Sequence, residues 1–123
     1  MTKQEIQNRI NQLNKQLNSY TQERKEYNTA LHNAQDLVNT INEGLSSLNT
    51  SSENLKKYFT IGGTIVGSDK IQDTDSGMKD IKKQLSNTII PAINSSIRNL
   101  TNKIHNTESE IENLKRQYAN ATE

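Results

Sequence analysis

From Ile6 to Phe59 the apolar residues return at alternating steps of four and three without a slip. One set is Ile6, Leu13, Tyr20, Tyr27, Ala34, Ile41, Leu48 and Leu55. The interleaved set is Ile10, Leu17, Arg24, Leu31, Val38, Leu45, Ser52 and Phe59, and only Arg24 and Ser52 break the apolar rule. A repeat averaging about 3.5 residues, kept over so many turns, requires a helix whose seam lies against another helix. The pattern predicts a helix over about 3–58, roughly 80 Å long at about 1.5 Å per residue. Thr2 and Glu5 have the spacing of a capping box at its start. Glu5/Arg9 and Glu53/Lys57 are acid-first pairs four apart, each adding about 0.3 kcal/mol.

A second seam runs through Ile90, Ile93, Ile97, Leu100, Ile104, Thr107, Ile111, Leu114, Tyr118 and Ala121, with Met78, Ile81, Leu85 and Ile89 upstream. From Leu85 through Ile89 and Ile93 to Ile97 every step is four, a stutter that locally unwinds a supercoil, and Pro91 sits inside it. A proline there removes one helical hydrogen bond, so a kink is expected. Gly62, Gly63 and Gly67 break the chain between the two seams. The expected connecting loop covers about 59–72 and the second helix about 73–121, with Asp69 and Gln72, or Asp75, as its possible caps. The fold class is therefore all-α: a long antiparallel two-helix coiled-coil hairpin forming a single domain over 1–123.

The two seams carry one polar residue each in their middle, Arg24 and Thr107. If the two face one another, paired positions total 131, so that Tyr20 meets Ile111 and Leu31 meets Leu100. A shared polar layer is a common way to specify register, at some cost in stability. In this register Arg24 also has Glu108 and Glu110 within reach.

Composition agrees with narrow seams rather than a compact core. Hydrophobic residues make up 30% and aromatic residues 4% of the chain, too little for one globular interior. Disorder would ordinarily bring a high net charge and no periodicity, whereas the net charge is +1 and the period is long. That balance also lacks the basic footprint of a nucleic-acid binder. There is no cysteine, so no disulfide framework or thiolate metal site. Met1-Thr2-Lys3-Gln4-Glu5 leads directly into the amphipathic pattern, so no Sec signal peptide is expected. No segment approaches the roughly 20 apolar residues of a membrane span, and stable membrane insertion is not expected.

No constellation for catalysis or cofactor binding stands out. His32 and His105 each follow a seam residue, point to solvent and lack metal-ligand spacing. Asp73-Thr74-Asp75-Ser76-Gly77 has its glycine one place early for a calcium loop, and Gln84 stands where the closing glutamate belongs. Gly62, Gly63 and Gly67 lack the strand and the Lys-Ser/Thr of a phosphate loop. Asn49, Asn94, Asn99 and Asn120 begin glycosylation sequons, which an Asn-rich chain acquires by accident. The reading is of a non-enzymatic chain with no cofactor and no metal. Near the loop, apolar residues exceed what the seams need: Ala30, Leu37, Gly44, Tyr58, Ile61, Ile65, Val66, Ile71 and Ile89. Apolar surface of that kind marks interfaces. Leu37, Tyr58, Ile61, Ile65, Val66, Ile71 and Ile89 are the candidate partner-binding residues, for another helical protein or for a second copy in a homodimer.

Ile/Leu heptads, the break Ile61-Gly62-Gly63 and Asn/Gln/Ser-rich faces together resemble the small helical proteins of Gram-positive type VII secretion. The resemblance covers essentially the whole chain and is nearest to the YwqH-like group that accompanies LXG-domain toxins. It implies a targeting factor or chaperone lying beside the toxin's helical N-terminal LXG domain, with a second small helical accessory as a further partner. It also implies a cytoplasmic protein, or one co-secreted with its partner by a Sec-independent route. The chain is similar in outline to WXG-type hairpins but has no Trp-x-Gly between its helices. Nor does it have a Tyr-x-x-x-Asp/Glu tail, since Thr122 follows Tyr118 four places later and Glu123 stands one place too far. Those departures fit an accessory that depends on its partner for export.

Overall fold

A computed structural model describes residues 1–65 and 67–121. Val66, Thr122 and Glu123 lie outside the described residues, and with them one candidate contact and the tail reading. The chain is almost entirely helical. Helix α1 spans Lys3–Tyr58, a two-residue strand pair β1 (Thr60–Ile61) and β2 (Thr64–Ile65) follows, and α2 spans Ser68–Gln84. A π-helical turn over Leu85–Ile89 leads into α3, Ile90–Asn120. The chain forms two compact units: Met1–Ala30 with Ile93–Glu123, and Leu31–Ala92.

The start of α1 is capped as its sequence implies. The Glu5 amide donates to the Thr2 hydroxyl at 3.1 Å, satisfying one of the free N–H groups of the first turn. In the first unit Ile6, Ile10 and Leu13 form one buried cluster with Ile111 and Leu114, and Leu17 and Ala121 pack against it. Leu100, Ile104 and Thr107 are buried as well. In the second unit Ala34, Ile41 and Leu85 are buried, with Leu31, Val38, Leu45, Leu48, Leu55, Ile71 and Met78 half-buried. Most residues of the two expected seams are covered, but Ile81, Ile89 and Tyr118 of the second are exposed. Ser52 is exposed although Leu48 and Leu55 on either side of it are half-buried, and Phe59 is exposed just past the end of α1.

The register expected from Arg24 and Thr107 is corrected. The Thr107 hydroxyl donates to the Lys103 carbonyl of its own helix at 2.7 Å, so burial leaves it no polar need for a neighbour. Arg24 donates to the Thr101 hydroxyl at 3.4 Å, six residues before Thr107. The Lys103 ammonium lies 5.6 Å from the Tyr20 ring, where Ile111 was expected. Both contacts are displaced by about one heptad from the 131 register. Arg9 likewise pairs with Glu110, at 3.1 Å, rather than with Glu5.

The connection is also shorter than expected. Ser68, not a residue near 73, opens α2. Gly67 takes a left-handed φ of 83° that most side chains disfavour, and its carbonyl accepts the Ile71 amide at 3.4 Å. Neither Asp69 nor Asp75 caps the helix, although Asp69 stands in its first turn, where the helix dipole favours an anion. The early start carries Ile71 onto the covered stripe with Asp75, Met78, Lys82 and Leu85. Between the helices, Thr60 pairs with Ile65 and Ile61 with Thr64 around Gly62 and Gly63, whose φ values are 56° and 83°. Two glycines at positive φ between β-branched residues form the two-residue hairpin whose twist suits antiparallel strands.

The stutter takes the form of the π-helical turn. The Ile90 amide bonds to the Leu85 carbonyl five residues back. Pro91 has no N–H to offer one turn back, and a regular helix would press its ring onto that carbonyl. Widening the turn relieves both and absorbs one extra residue.

Candidate functional site

In the second unit the apolar residues left uncovered fall into two groups. The first lies on the helices: Leu37 is 45% exposed, Ile81 54% and Ile89 43%. The second lies at the turn: Tyr58 is 66% exposed, Phe59 53% and Ile61 69%. Of the sequence-derived candidates, Leu37, Tyr58, Ile61 and Ile89 are thus presented to solvent. Ile65 and Ile71 are half-buried instead, Ile65 because hairpin alternation turns it away from Ile61 and Ile71 because α2 begins early. Val66 lies outside the described residues.

Ile81 and Phe59 were assigned to the seams and belong to the exposed set. Spacing did not decide Ile81: between Met78 and Leu85 a four-and-three count passes through either Ile81 or Lys82, and the apolar residue was chosen, whereas Lys82 is the half-buried one. Phe59 follows the last helical residue, Tyr58, where helical spacing no longer dictates a face.

Around Leu37, Ile81 and Ile89 the outer positions are uncharged and, apart from Gln84, short. On α1 they are Asn33, Thr40, Gly44 and Ser47; on the second stretch they are Gly77, Gln84 and Ala92. Gly44 is close-packed, since a Cβ there would meet the terminal methyl of Met78. A groove lined by Leu48, Ser52, Ile71 and Asp75 runs beside the turn, with Lys79 bonded to Asp75 at 2.8 Å. Among the described residues no group of three His, Asp or Glu side chains is placed to hold a metal ion. His32 is exposed and bonds Asp36 at 3.2 Å within its own helix, and His105 is exposed.

No protein-family model, curated protein or solved structure matches this chain.

Proposed function

We propose that this chain is a non-enzymatic protein-binding accessory: a long antiparallel coiled-coil hairpin whose exposed helical flank receives a helix of a larger partner. The observation that carries the reading is the uncharged surface around Leu37, Ile81 and Ile89. In an antiparallel pair, the positions just before alternate seam residues border the seam on the same side of both helices. Leu37 precedes Val38, Gly44 precedes Leu45, Ile81 precedes Lys82 and Ile89 precedes Ile90. One flank then gathers the three exposed aliphatic side chains, with small residues between them that let another helix approach closely.

The contact pattern supports the antiparallel pairing. In the first unit Lys3 lies 5.2 Å from the Tyr118 ring, Arg9 bonds Glu110 and Arg24 bonds Thr101, so position falls along α3 as it rises along α1. In the second unit Gly44 meets Met78 and Leu55 meets Gly67.

The partner that best fits the sequence pattern is the helical N-terminal domain of an LXG-type toxin, with this chain as its targeting factor or chaperone in type VII secretion. Support comes from the Ile/Leu heptads, the glycine break and the Asn/Gln-rich outer faces. Three half-exposed side chains are far less than the roughly 800 Å² per partner of a standard interface, so a partner has to extend beyond them. Affinity capture of the tagged protein from its native cell tests the reading. Recovery of a larger protein with a helical N-terminal half supports it. Recovery of the protein only as its own dimer replaces it with a self-assembling four-helix bundle.

A further inference from the structure

The second exposed group, at the turn between α1 and α2, has a different chemistry from the flank. Residues 58–68 contain no charged side chain. Tyr58, Phe59 and Ile61 project from that stretch with more than half their surface exposed. The exposed tip is a tight two-residue hairpin between β1 and β2. Its β1–β2 pairing closes backbone hydrogen bonds within the turn, which lowers the cost of bringing it into a poorly hydrated layer. Lys56 and Lys57 stand in the last turn of α1 and Lys70 in the first turn of α2. Among the described residues none of the three is held in an ion pair. The Lys57 ammonium lies 5.1 Å from the Tyr58 ring centroid, beside the apolar tip. Asp69 is the one acid in these two turns, and Glu53 and Asp73 stand further back along the helices.

We infer that this tip docks on a bilayer surface containing anionic phospholipid. Phe59 and Ile61 enter the acyl boundary, Tyr58 sits at headgroup level with its hydroxyl in water, and Lys56, Lys57 and Lys70 face the headgroups. Aromatic residues favour the membrane–water interface, and lysines beside an anionic leaflet are attracted to it. No described helix is long and apolar enough to cross a membrane, so the contact is peripheral. It requires no protein partner and stands independently of the proposed function.

The test uses the full chain with vesicles of phosphatidylcholine alone or with one third phosphatidylserine. Co-sedimentation is expected with the anionic vesicles and to be much weaker with the neutral ones. Ile61→Glu, and separately Lys56→Gln with Lys57→Gln, are expected to weaken it by roughly tenfold while circular dichroism stays helical. A Phe59→Trp reporter is expected to shift its emission to the blue when anionic vesicles are added. No binding by the wild-type chain, binding unchanged by Ile61→Glu, or an unshifted reporter each overturns the inference. If vesicles do not bind and Ile61→Glu instead abolishes capture of a protein partner, the tip is a protein contact.

Discussion

Thr107 is buried in the seam of α3 yet needs nothing from α1, because its hydroxyl bonds the Lys103 carbonyl. The Lys103 carbonyl also receives the Thr107 amide in the regular helical ladder, so losing the hydroxyl orphans no group. Thr107→Val is therefore expected to raise stability by up to about 1 kcal/mol, read as a higher melting temperature. A loss of stability would mean that the hydroxyl serves a neighbouring side chain, as the 131 register required. The spacing showed which residues are covered but not how their polar atoms are satisfied, since a threonine can bond to its own helix and an arginine can reach along a neighbour. Gly77 offers a second residue-scale test. It is exposed inside α2, and a Cβ there would meet nothing within 4 Å. Gly77→Ala is expected to stabilise by about 0.5–1 kcal/mol through helix propensity and a less flexible unfolded chain, again read by thermal denaturation.

At the scale of elements, the π-helical turn explains the stutter. Within the second unit, extending the proposed antiparallel pairing from Gly44 against Met78 and Leu55 against Gly67 would set Leu45 near Met78, Val38 near Leu85 and Ala34 near Ile90. Four steps along α1 answer five along the other strand of the pair, and the widened turn supplies the extra residue. A single-residue deletion inside a coiled-coil helix normally ruins its register, but here it should repair it. Deleting Thr88 together with Pro91→Ala restores the four-and-three spacing and a continuous hydrogen-bond ladder. The double variant is expected to melt at or above the wild-type temperature, gaining about 1 kcal/mol from the restored hydrogen bond. Deletion of His105, in the regular part of α3, is expected to lower it by several degrees. Equal damage from both deletions would refute the account. The stutter was legible because apolar spacing counts residues, whereas the form of the relief was not, since a kink and a π turn share that spacing. The hairpin at Gly62-Gly63 was legible in principle from its β-branched flanks, but three glycines read first as a loop. The early start of α2 depends on burying Ile71, a tertiary gain that no local cap announces.

Across both units, most of the covered residues were readable because a helix that packs along one face confines its buried residues to a stripe, which the period of the apolar residues marks. The candidate flank was readable only in part: Leu37 falls off the seam by counting, but Ile89 fits the four-step run as well as it fits the flank, and Ile81 changes face only once Lys82 is placed on the stripe. This division makes the binding proposal separable from folding. Leu100 is buried, and Leu100→Glu would force a carboxylate into a dry seam, at a cost of several kcal/mol. That variant is expected to lose helicity and partner together. Leu37 is nearly half-exposed, so Leu37→Glu should alter folding stability by no more than about 0.5 kcal/mol. If the flank receives a helix, the same substitution sets a carboxylate against an apolar partner face, and capture should weaken roughly tenfold or more. The uncharged surroundings add a second signature: affinity should change little between low and high salt, because exposed ion pairs would be screened and apolar contacts are not. Partner capture by Leu37→Glu and Ile89→Glu variants, measured at both salt concentrations beside circular dichroism, checks both expectations. Undiminished capture by folded variants would remove the flank from the interface, and steep weakening with salt would assign the contact to the charged outer faces instead.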